Sequence, residues 1–451
     1  MPAALDQVFK AYDVRGIYPD QLDEELAERV GRAFVALTGA GTLAIGQDMR
    51  PSSKPMADAL AAGAMAQGAD VLRVGLCSTD MLYYVSGALD VAGVMLTASH
   101  NPARYNGLKL CRPGAVPVGE ESGLADIKRM VAAGEPAADA AERGRERQAD
   151  DLLERYAAHV RGFADRDALR PLKVVADAGN GMAGHVVPAV FAGLPFELVP
   201  LYFELDGSFP NHPADPLNPE NLRELQARVV AEGADVGLAF DGDADRVFLV
   251  DEQGATVPSS LVGALVARLM CEREPGATVL YNLICSRVVP ETIREAGGVP
   301  VRTRVGHSFI KGVMAETGAI FGCEHSGHYY FRDNYRADSG LIAALVALDA
   351  LSRAGRPLSE VLAPYRRYAA SGEINRRVDD PGKVIGEVAG RYPAEKADFA
   401  DGLTVEGGDW WFNLRPSNTE PLLRLNVEAA TEAEMARVRD EVLEAVGGEP
   451  A

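Results

Sequence analysis

Cysteine and tryptophan are scarce: five and two residues among 451. Cys77, Cys111, Cys271, Cys285 and Cys323 form no CxxC pair and are odd in number. That speaks against a disulfide framework and for reduced thiols in a cytoplasmic setting. Basic residues are in deficit as well, 45 against 65 acidic ones, for a formal charge of -20. So negative a surface repels nucleic acid and anionic membranes and excludes both as expected partners. An anionic substrate would need a locally basic pocket, or one that holds a divalent cation. Long apolar runs are missing too. The longest, near Leu341 to Leu351, is broken by Asp349 and falls short of the ~18 residues that span a bilayer; it reads as a buried helix. The opening Met1-Pro2-Ala3-Ala4-Leu5-Asp6 has neither a basic nor an apolar region, so no secretory signal is expected.

What is present is ordinary globular composition, 47% hydrophobic and 24% charged, on a chain too long for one core. One pattern recurs three times. Leu43-Ala44-Ile45-Gly46, a helix near 54–67 and Val71-Leu72-Arg73-Val74 form the first instance. Lys173-Val174-Val175-Ala176 opens the second, which ends near Phe196 to Val199, and Thr278-Val279-Leu280-Tyr281 opens the third, ending near Val299 to Arg302. Short apolar strands alternating with helices imply βαβ units. The C-terminal stretch instead gathers strands (403–405, 410–414, 422–427) before a helix from Thr431, where Thr431 and Glu434 have capping-box spacing. The expected architecture is three consecutive related α/β domains with mixed sheets, then a smaller α+β domain. Polar segments place the domains at 1–148, 149–251, 252–370 and 371–451. The first of those segments, Ala132 to Gln148, also has the Ala, Glu and Arg content of a helix.

Several motifs can carry chemistry. Asp241-Gly242-Asp243-Ala244-Asp245-Arg246 sets three carboxylates at alternate positions between two apolar strands, a pattern that converges oxygen ligands on a hard cation. An EF-hand fails, although Glu252 stands twelfth, because Arg246 holds the sixth position, which must be glycine, and the flanks are strands. Thr97-Ala98-Ser99-His100-Asn101-Pro102, after the strand Gly93 to Leu96, offers Ser99 as a nucleophile. Its neighbour His100 is not expected to pair with it, since adjacent side chains usually diverge. Arg415-Pro416-Ser417-Asn418-Thr419-Glu420-Pro421 lies between strands and can surround a phosphate with a guanidinium, hydroxyls, an amide and loop N–H groups, or be a plain turn. The segments 305–311 and 323–328 carry His307, His325 and His328, which suits proton transfer or sugar contacts. A zinc site at Cys323 and His325 lacks a second ligand pair. Gly179-Asn180-Gly181-Met182-Ala183-Gly184 matches GxGxxG, with Glu204 as the distal acid, but nothing else suggests a nicotinamide, and a plain Gly-rich strand-to-helix turn is the favoured reading.

Taken with Lys10-Ala11-Tyr12-Asp13-Val14-Arg15-Gly16, Asn106-Gly107-Leu108-Lys109 and the Glu324-His325-Ser326-Gly327 loop, the order of these motifs over nearly the whole chain resembles the α-D-phosphohexomutase family, phosphomannomutase/phosphoglucomutase branch. The resemblance implies four domains around a central cleft, each giving one loop. It implies Ser99 as the phosphoryl carrier, with Asp241, Asp243 and Asp245 (and Ser99 itself) as ligands to Mg²⁺. Arg15 and Arg246 would stabilise transferring charge. Lys109, His307 and His328 would be acid–base groups, Lys109 only if neighbouring cations lower its pKa. Tyr12, Glu324, Ser326, Arg415, Ser417, Asn418 and Thr419 would hold the phosphohexose. The implied reaction interconverts hexose 6-phosphate and hexose 1-phosphate through a hexose 1,6-bisphosphate, in a monomer or small homo-oligomer. A phosphoglucosamine mutase and a non-catalytic phosphosugar-binding protein are the rivals. Ile284 stands where some members of this branch have a phosphate-binding Lys, a role that Arg287 is then expected to take.

Overall fold

The computed structural model describes residues 2–417 and 422–450, with side chains except at 2–4, 307 and 308. Four sheets follow one another along the chain. In the first, Thr42–Gln47 lies parallel between Asp70–Leu76 and Ala92–Leu96, and Tyr105–Arg112 turns back antiparallel on Ala92–Leu96. In the second, Leu172–Asp177 lies parallel between Phe196–Leu201 and Val236–Phe240, and Val247–Asp251 returns on Val236–Phe240. In the third, Thr278–Asn282 lies parallel between Val299–Thr303 and Phe321–Cys323, and Tyr329–Phe331 returns on Phe321–Cys323. These are three mixed α/β sheets with one plan. Ala92–Leu96 and Val236–Phe240 are buried at every position, as strands covered by helices on both faces must be.

The fourth unit is α+β. Leu403–Glu406, Trp410–Pro416, Leu422–Ala429 and Ala369–Arg377 pair antiparallel, against the helix Glu432–Val446. Thr431 Oγ1 accepts from Glu434 N at 3.2 Å. The reciprocal half of the expected box is replaced by an ion pair of Glu434 with Arg437 at 2.8 Å.

One consequence of the shared plan locates the site. The motif segments 97–104, 241–246 and 324–328 are the turns between a parallel strand and its antiparallel return. Arg415 and Pro416 end the strand Trp410–Pro416, where it pairs antiparallel with the start of Leu422–Ala429. The first three leave the carboxyl ends of parallel strands, where open α/β sheets place ligands.

An apolar cluster runs from the helix Thr79–Leu89 through the second and third units, while the first and fourth also have clusters of their own. The helix Gly340–Ala354 is buried along most of its length. Its Asp349, fully buried, is held by Arg273 at 2.6 Å and Arg353 at 2.7 Å, partners without which a buried carboxylate would be prohibitive. The segment 132–148 ends the helix Leu124–Ala133 and closes as Glu146–Gln148, a parallel edge strand on Asp70–Leu76, so its composition did not make it a helix. No helix among the described residues is long and apolar enough to cross a membrane.

Candidate active site

The acid loop is built by a tight turn, with Ala244 at φ +60, that brings alternate side chains to one side. One oxygen from each of Asp241, Asp243 and Asp245 lies within 4.8 Å of the others, and all three residues are buried. Ser99 Oγ, from the first unit, donates to Asp241 Oδ2 at 2.7 Å. Ser99 sits at φ +50, a left-handed conformation that costs a non-glycine residue about 1–2 kcal/mol and persists where its surroundings fix it. That conformation also brings Ser99 Oγ within 3.2 Å of His100 Nδ1. The expected divergence of these neighbours is therefore not found, because it presumed ordinary backbone. Burial, then Arg246 and Arg15, hold the His100 imidazole well below its usual range, so it stays neutral.

Two glycines permit the approach. A Cβ on Gly242 would stand 2.4 Å from the Ser99 carbonyl oxygen, and one on Gly181 would stand 2.7 Å from the Gly242 oxygen. Met182 N donates to Gly242 O at 2.9 Å. The GxGxxG turn thus backs the acid loop, and Glu204 serves it through its carbonyl, which accepts from Asn180 Nδ2 at 2.9 Å.

Cations balance the acids. Lys109 Nζ lies 2.7 Å from Asp243 Oδ2 and 2.6 Å from Asp245 Oδ2, and Arg246 Nε lies 2.9 Å from Asp241 Oδ2. Thr79 Oγ1 donates to Asp243 Oδ2 at 2.5 Å. Burial, with the like charges of Asp245 and Asp243, pushes Asp241 up to about 7 against the pull of Arg246. Burial also works on Asp243, but Lys109 outweighs it and holds the carboxyl below its usual range. The expected lowering of Lys109 is not found. Burial works in that direction, yet Asp243 and Asp245 overcome it and leave the ammonium well above its ordinary value.

The remaining loops close the ring. Arg15 Nη1 donates to Asn101 Oδ1 at 2.6 Å, and Nη2 pairs with Asp13 at 2.5 Å. The backbone of Arg246 bridges that of His328. His328 Nδ1 lies 2.9 Å from Asp338 Oδ2, and Asp338 in turn pairs with Lys311 at 2.9 Å. Burial lowers His328, but Asp338 and Asp245 outweigh it and raise the imidazole. Buried Glu324 accepts from Asn282 Nδ2 at 3.2 Å, Gly306 N at 3.1 Å and Tyr330 Oη at 2.7 Å. Ser326 is half-buried on the same turn, which Gly327 makes at φ +84. Tyr12 meets Phe309 edge-on at 6.4 Å and feels Asp401, Glu324, Arg304 and Arg415 from two other units. His307 opens the helix His307–Thr317, its side chain outside the description. Arg415 pairs with Glu373 at 2.9 Å, Arg424 pairs with the same carboxylate at 3.3 Å, and Arg424 Nη2 reaches Ser417 Oγ at 3.5 Å. Burial, then Arg415 and Arg424, push His325 down to about 3. Asn418 and Thr419 lie outside the described residues.

Arg287 does not supply the phosphate contact expected of it. Its guanidinium is spent on Gly407 O, Gly408 O, Trp410 O and Glu406, clasping the fourth unit to the third beside an apolar cluster of Leu283, Ile284 and Trp411. Sequence reasoning missed Thr79, Asp338, Glu373 and Arg424. Only Arg424 left a signal, as the cross-strand partner of Arg415.

The donor set fits a hard divalent cation. Three carboxylates converge, and Asp243 Oδ1 and Asp245 Oδ1 are buried with no hydrogen-bond partner among the described residues, an arrangement that oxygen-loving ions satisfy.

Known proteins match this chain along nearly its whole length. Four domain families match in order: Phosphoglucomutase/phosphomannomutase, alpha/beta/alpha domain I over residues 6–137, domain II over 154–254, domain III over 258–368, and the C-terminal domain over 373–445. A Xanthomonas campestris protein described as "Phosphohexose mutases" is 41% identical over 436 residues, covering 96% of this chain and 97% of its own. The chain belongs to the phosphoglucomutase/phosphomannomutase family. It is an enzyme of the phosphohexomutase class, an intramolecular phosphotransferase. A phosphomannomutase from Escherichia coli is 39% identical over 445 residues, with 96% and 97% coverage. The crystal structure of a phosphoglucomutase/phosphomannomutase family protein from Burkholderia thailandensis matches with a TM-score of 0.89 at 34% identity, covering 98% of this chain and 99% of that one.

Proposed function

We infer that this family member interconverts the 6- and 1-phosphates of mannose or glucose through a phosphate carried on Ser99, with each unit (1–148, 149–251, 252–370, 371–451) giving one loop to the cleft. The observation that carries this reading is the 2.7 Å contact of Ser99 Oγ with Asp241 Oδ2, flanked by Lys109 and Arg246. Magnesium held by Asp241, Asp243, Asp245 and the phosphorylated Ser99 would supply charge neutralisation at the phosphate oxygens.

The chain's own groups do the rest. The free hydroxyl of a hexose monophosphate attacks the phosphorus on Ser99; its O–H bond breaks, the new P–O bond forms, and the P–O bond to Ser99 Oγ breaks. The sugar's proton passes to a base while Ser99 Oγ gains one from an acid, so the proton count is unchanged. Lys109, held charged, is suited to deliver a proton to the leaving oxygen. His328, its Nδ1 engaged by Asp338, is suited to take one at Nε2. Arg246 and Arg15 face the charge that develops on the equatorial oxygens. The product is a hexose 1,6-bisphosphate, which turns over so that its other phosphate returns to Ser99 by the reverse steps. Glu324 and Ser326 would hold hydroxyls in both orientations, with Tyr12 beside them. Arg415, Ser417, Asn418 and Thr419 would hold the idle phosphate, and His307 would assist from its helix start. Five buried, unpaired cysteines support a reducing, cytoplasmic setting.

The test is turnover of mannose, glucose and glucosamine 1-phosphates by wild type, by Ser99→Ala and by wild type in excess EDTA. Wild type should act on mannose or glucose phosphate, and the other two conditions should be inactive with the fold intact. Wild-type-like turnover by Ser99→Ala would defeat the reading, and preference for the glucosamine phosphate would reassign the substrate.

A further inference from the structure

Arg50 belongs to none of the motifs, yet its side chain is buried and grips the Ser99 loop from behind. All five of its N–H donors are used. Nη2 donates to Ser99 O at 2.9 Å and Asn101 O at 2.6 Å. Nη1 donates to Pro102 O at 2.9 Å and Tyr105 O at 3.0 Å. Nε donates to Asp48 Oδ2 at 3.1 Å. Asp48 is itself fixed, its Oδ1 accepting from Arg50 N at 3.0 Å and Ser53 Oγ at 2.5 Å. The second unit seals the group. Phe209 covers the guanidinium at 5.0 Å, and a Cβ on Gly207 would stand 2.5 Å from Arg50 Cα.

Four carbonyls converging on one planar cation define the course of the loop more tightly than turn preferences do. A trans peptide sets its C=O and following N–H in opposite directions, so the carbonyl of Ser99, drawn to Arg50, turns the His100 N–H away from it. The left-handed Ser99 therefore has a restraint on each side: its carbonyl on Arg50 and its hydroxyl on Asp241.

Resting on the reading of Ser99 as the carrier, the geometry points to Arg50, oriented by Asp48, as the positioning residue that holds the carrier hydroxyl on the line of transfer. The same oxygen must receive phosphate from either end of a reoriented sugar, so its position has to survive the exchange. No other side chain offers five donors in a rigid fork. A lysine keeps the charge and most of the volume but has three donors at one point.

The experiment compares Arg50→Lys with wild type and with Arg273→Lys, a change at an exposed arginine that pairs with buried Asp349 in the third unit. Three quantities are read: thermal midpoint, the kcat and KM for glucose 1-phosphate, and the rate at which intact mass records phosphate uptake from glucose 1,6-bisphosphate. Arg50→Lys should lower kcat and the uptake rate together by about 10- to 100-fold, the scale of an ångström of misplacement, with KM nearly unchanged. Arg273→Lys should lower the midpoint and leave kcat alone. Guanidinium ion added to Arg50→Ala should restore kcat. If Arg50→Lys is folded and turns over like wild type, or loses midpoint only, the positioning role is wrong while the carrier reading stands. If wild type takes up no phosphate on Ser99, both fall.

Discussion

Replacing Gly242 by Ala tests the meeting of the first two units by adding one methyl group. The new Cβ would lie 2.4 Å from the Ser99 carbonyl oxygen and 3.3 Å from its carbon. Ordinary contact requires a shift on the order of 1 Å. Neither side yields easily. The Gly242 carbonyl is held by Met182 N at 2.9 Å and faces Gly181, and the Ser99 carbonyl is held by Arg50 at 2.9 Å. The displacement therefore falls on the 2.7 Å bond between Ser99 Oγ and Asp241 Oδ2. Misplacement of that size costs about 10²-fold in rate, equivalent to about 2.7 kcal/mol of barrier, beside about 1–3 kcal/mol of stability lost to overpacking. A coupled assay of glucose 6-phosphate formation reads kcat, and circular dichroism checks the fold. Gly386→Ala, whose Cβ would meet nothing within 4 Å, is the control and should keep wild-type kcat. A folded Gly242→Ala enzyme with wild-type kcat would refute the claim that these loops act in contact.

Two further perturbations probe the charges. Lys109→Met leaves Asp243 and Asp245 facing each other without the ammonium that lies 2.7 and 2.6 Å away, and kcat should fall at least ~10²-fold, the lower range for an acid–base group; a loss confined to KM would contradict the assignment. Asp80, buried at the junction of three units, accepts from Tyr156 Oη at 2.6 Å and Ser339 Oγ at 2.5 Å, and also from Ser78 Oγ. Burial raises it to about 7 from 3.8. The folded state thus binds this proton more tightly than the unfolded one, and its stabilisation is complete below about pH 4 and lost as pH rises through 7. A rise of that size corresponds to about 4 kcal/mol. Asp80→Asn removes this titration, so the stability gap between wild type and variant, read by denaturant unfolding, should shrink from pH 4 to 7; a gap that is constant or widens would refute the assignment.

The fold was legible because its periodicity is strong. The strand runs at 43–46, 173–176 and 278–281 fall within observed parallel strands, and the carboxylates of 241–245 converge as their alternation implies. Much of what the sequence did not reveal consists of contacts made by ordinary residues far apart in the chain. The Arg50 grip on Ser99 spans 49 positions and the Thr79 bond to Asp243 spans 164, and neither lies in a motif. The left-handed Ser99 overturned the expectation for His100, since a serine gives no warning of a positive φ. The neighbours of Lys109 were misjudged in sign, because basic motif residues suggested a cationic surround, whereas Tyr105–Arg112 points its ammonium into the acid loop. Asp48-Met49-Arg50 did carry a readable hint: it follows Thr42–Gln47 at the carboxyl end of a parallel strand, the place where the other site loops begin.

The most direct measurement is intact mass with peptide mapping of the wild-type protein before and after exposure to glucose 1,6-bisphosphate, then after excess glucose 1-phosphate. A single phosphate should appear on Ser99, exchange for the substrate's phosphate when isotopically labelled monophosphate is added in the presence of Mg²⁺, and be absent throughout in Ser99→Ala. Steady turnover by wild type with no phosphate on Ser99, or with phosphate mapped to another residue, would contradict the account.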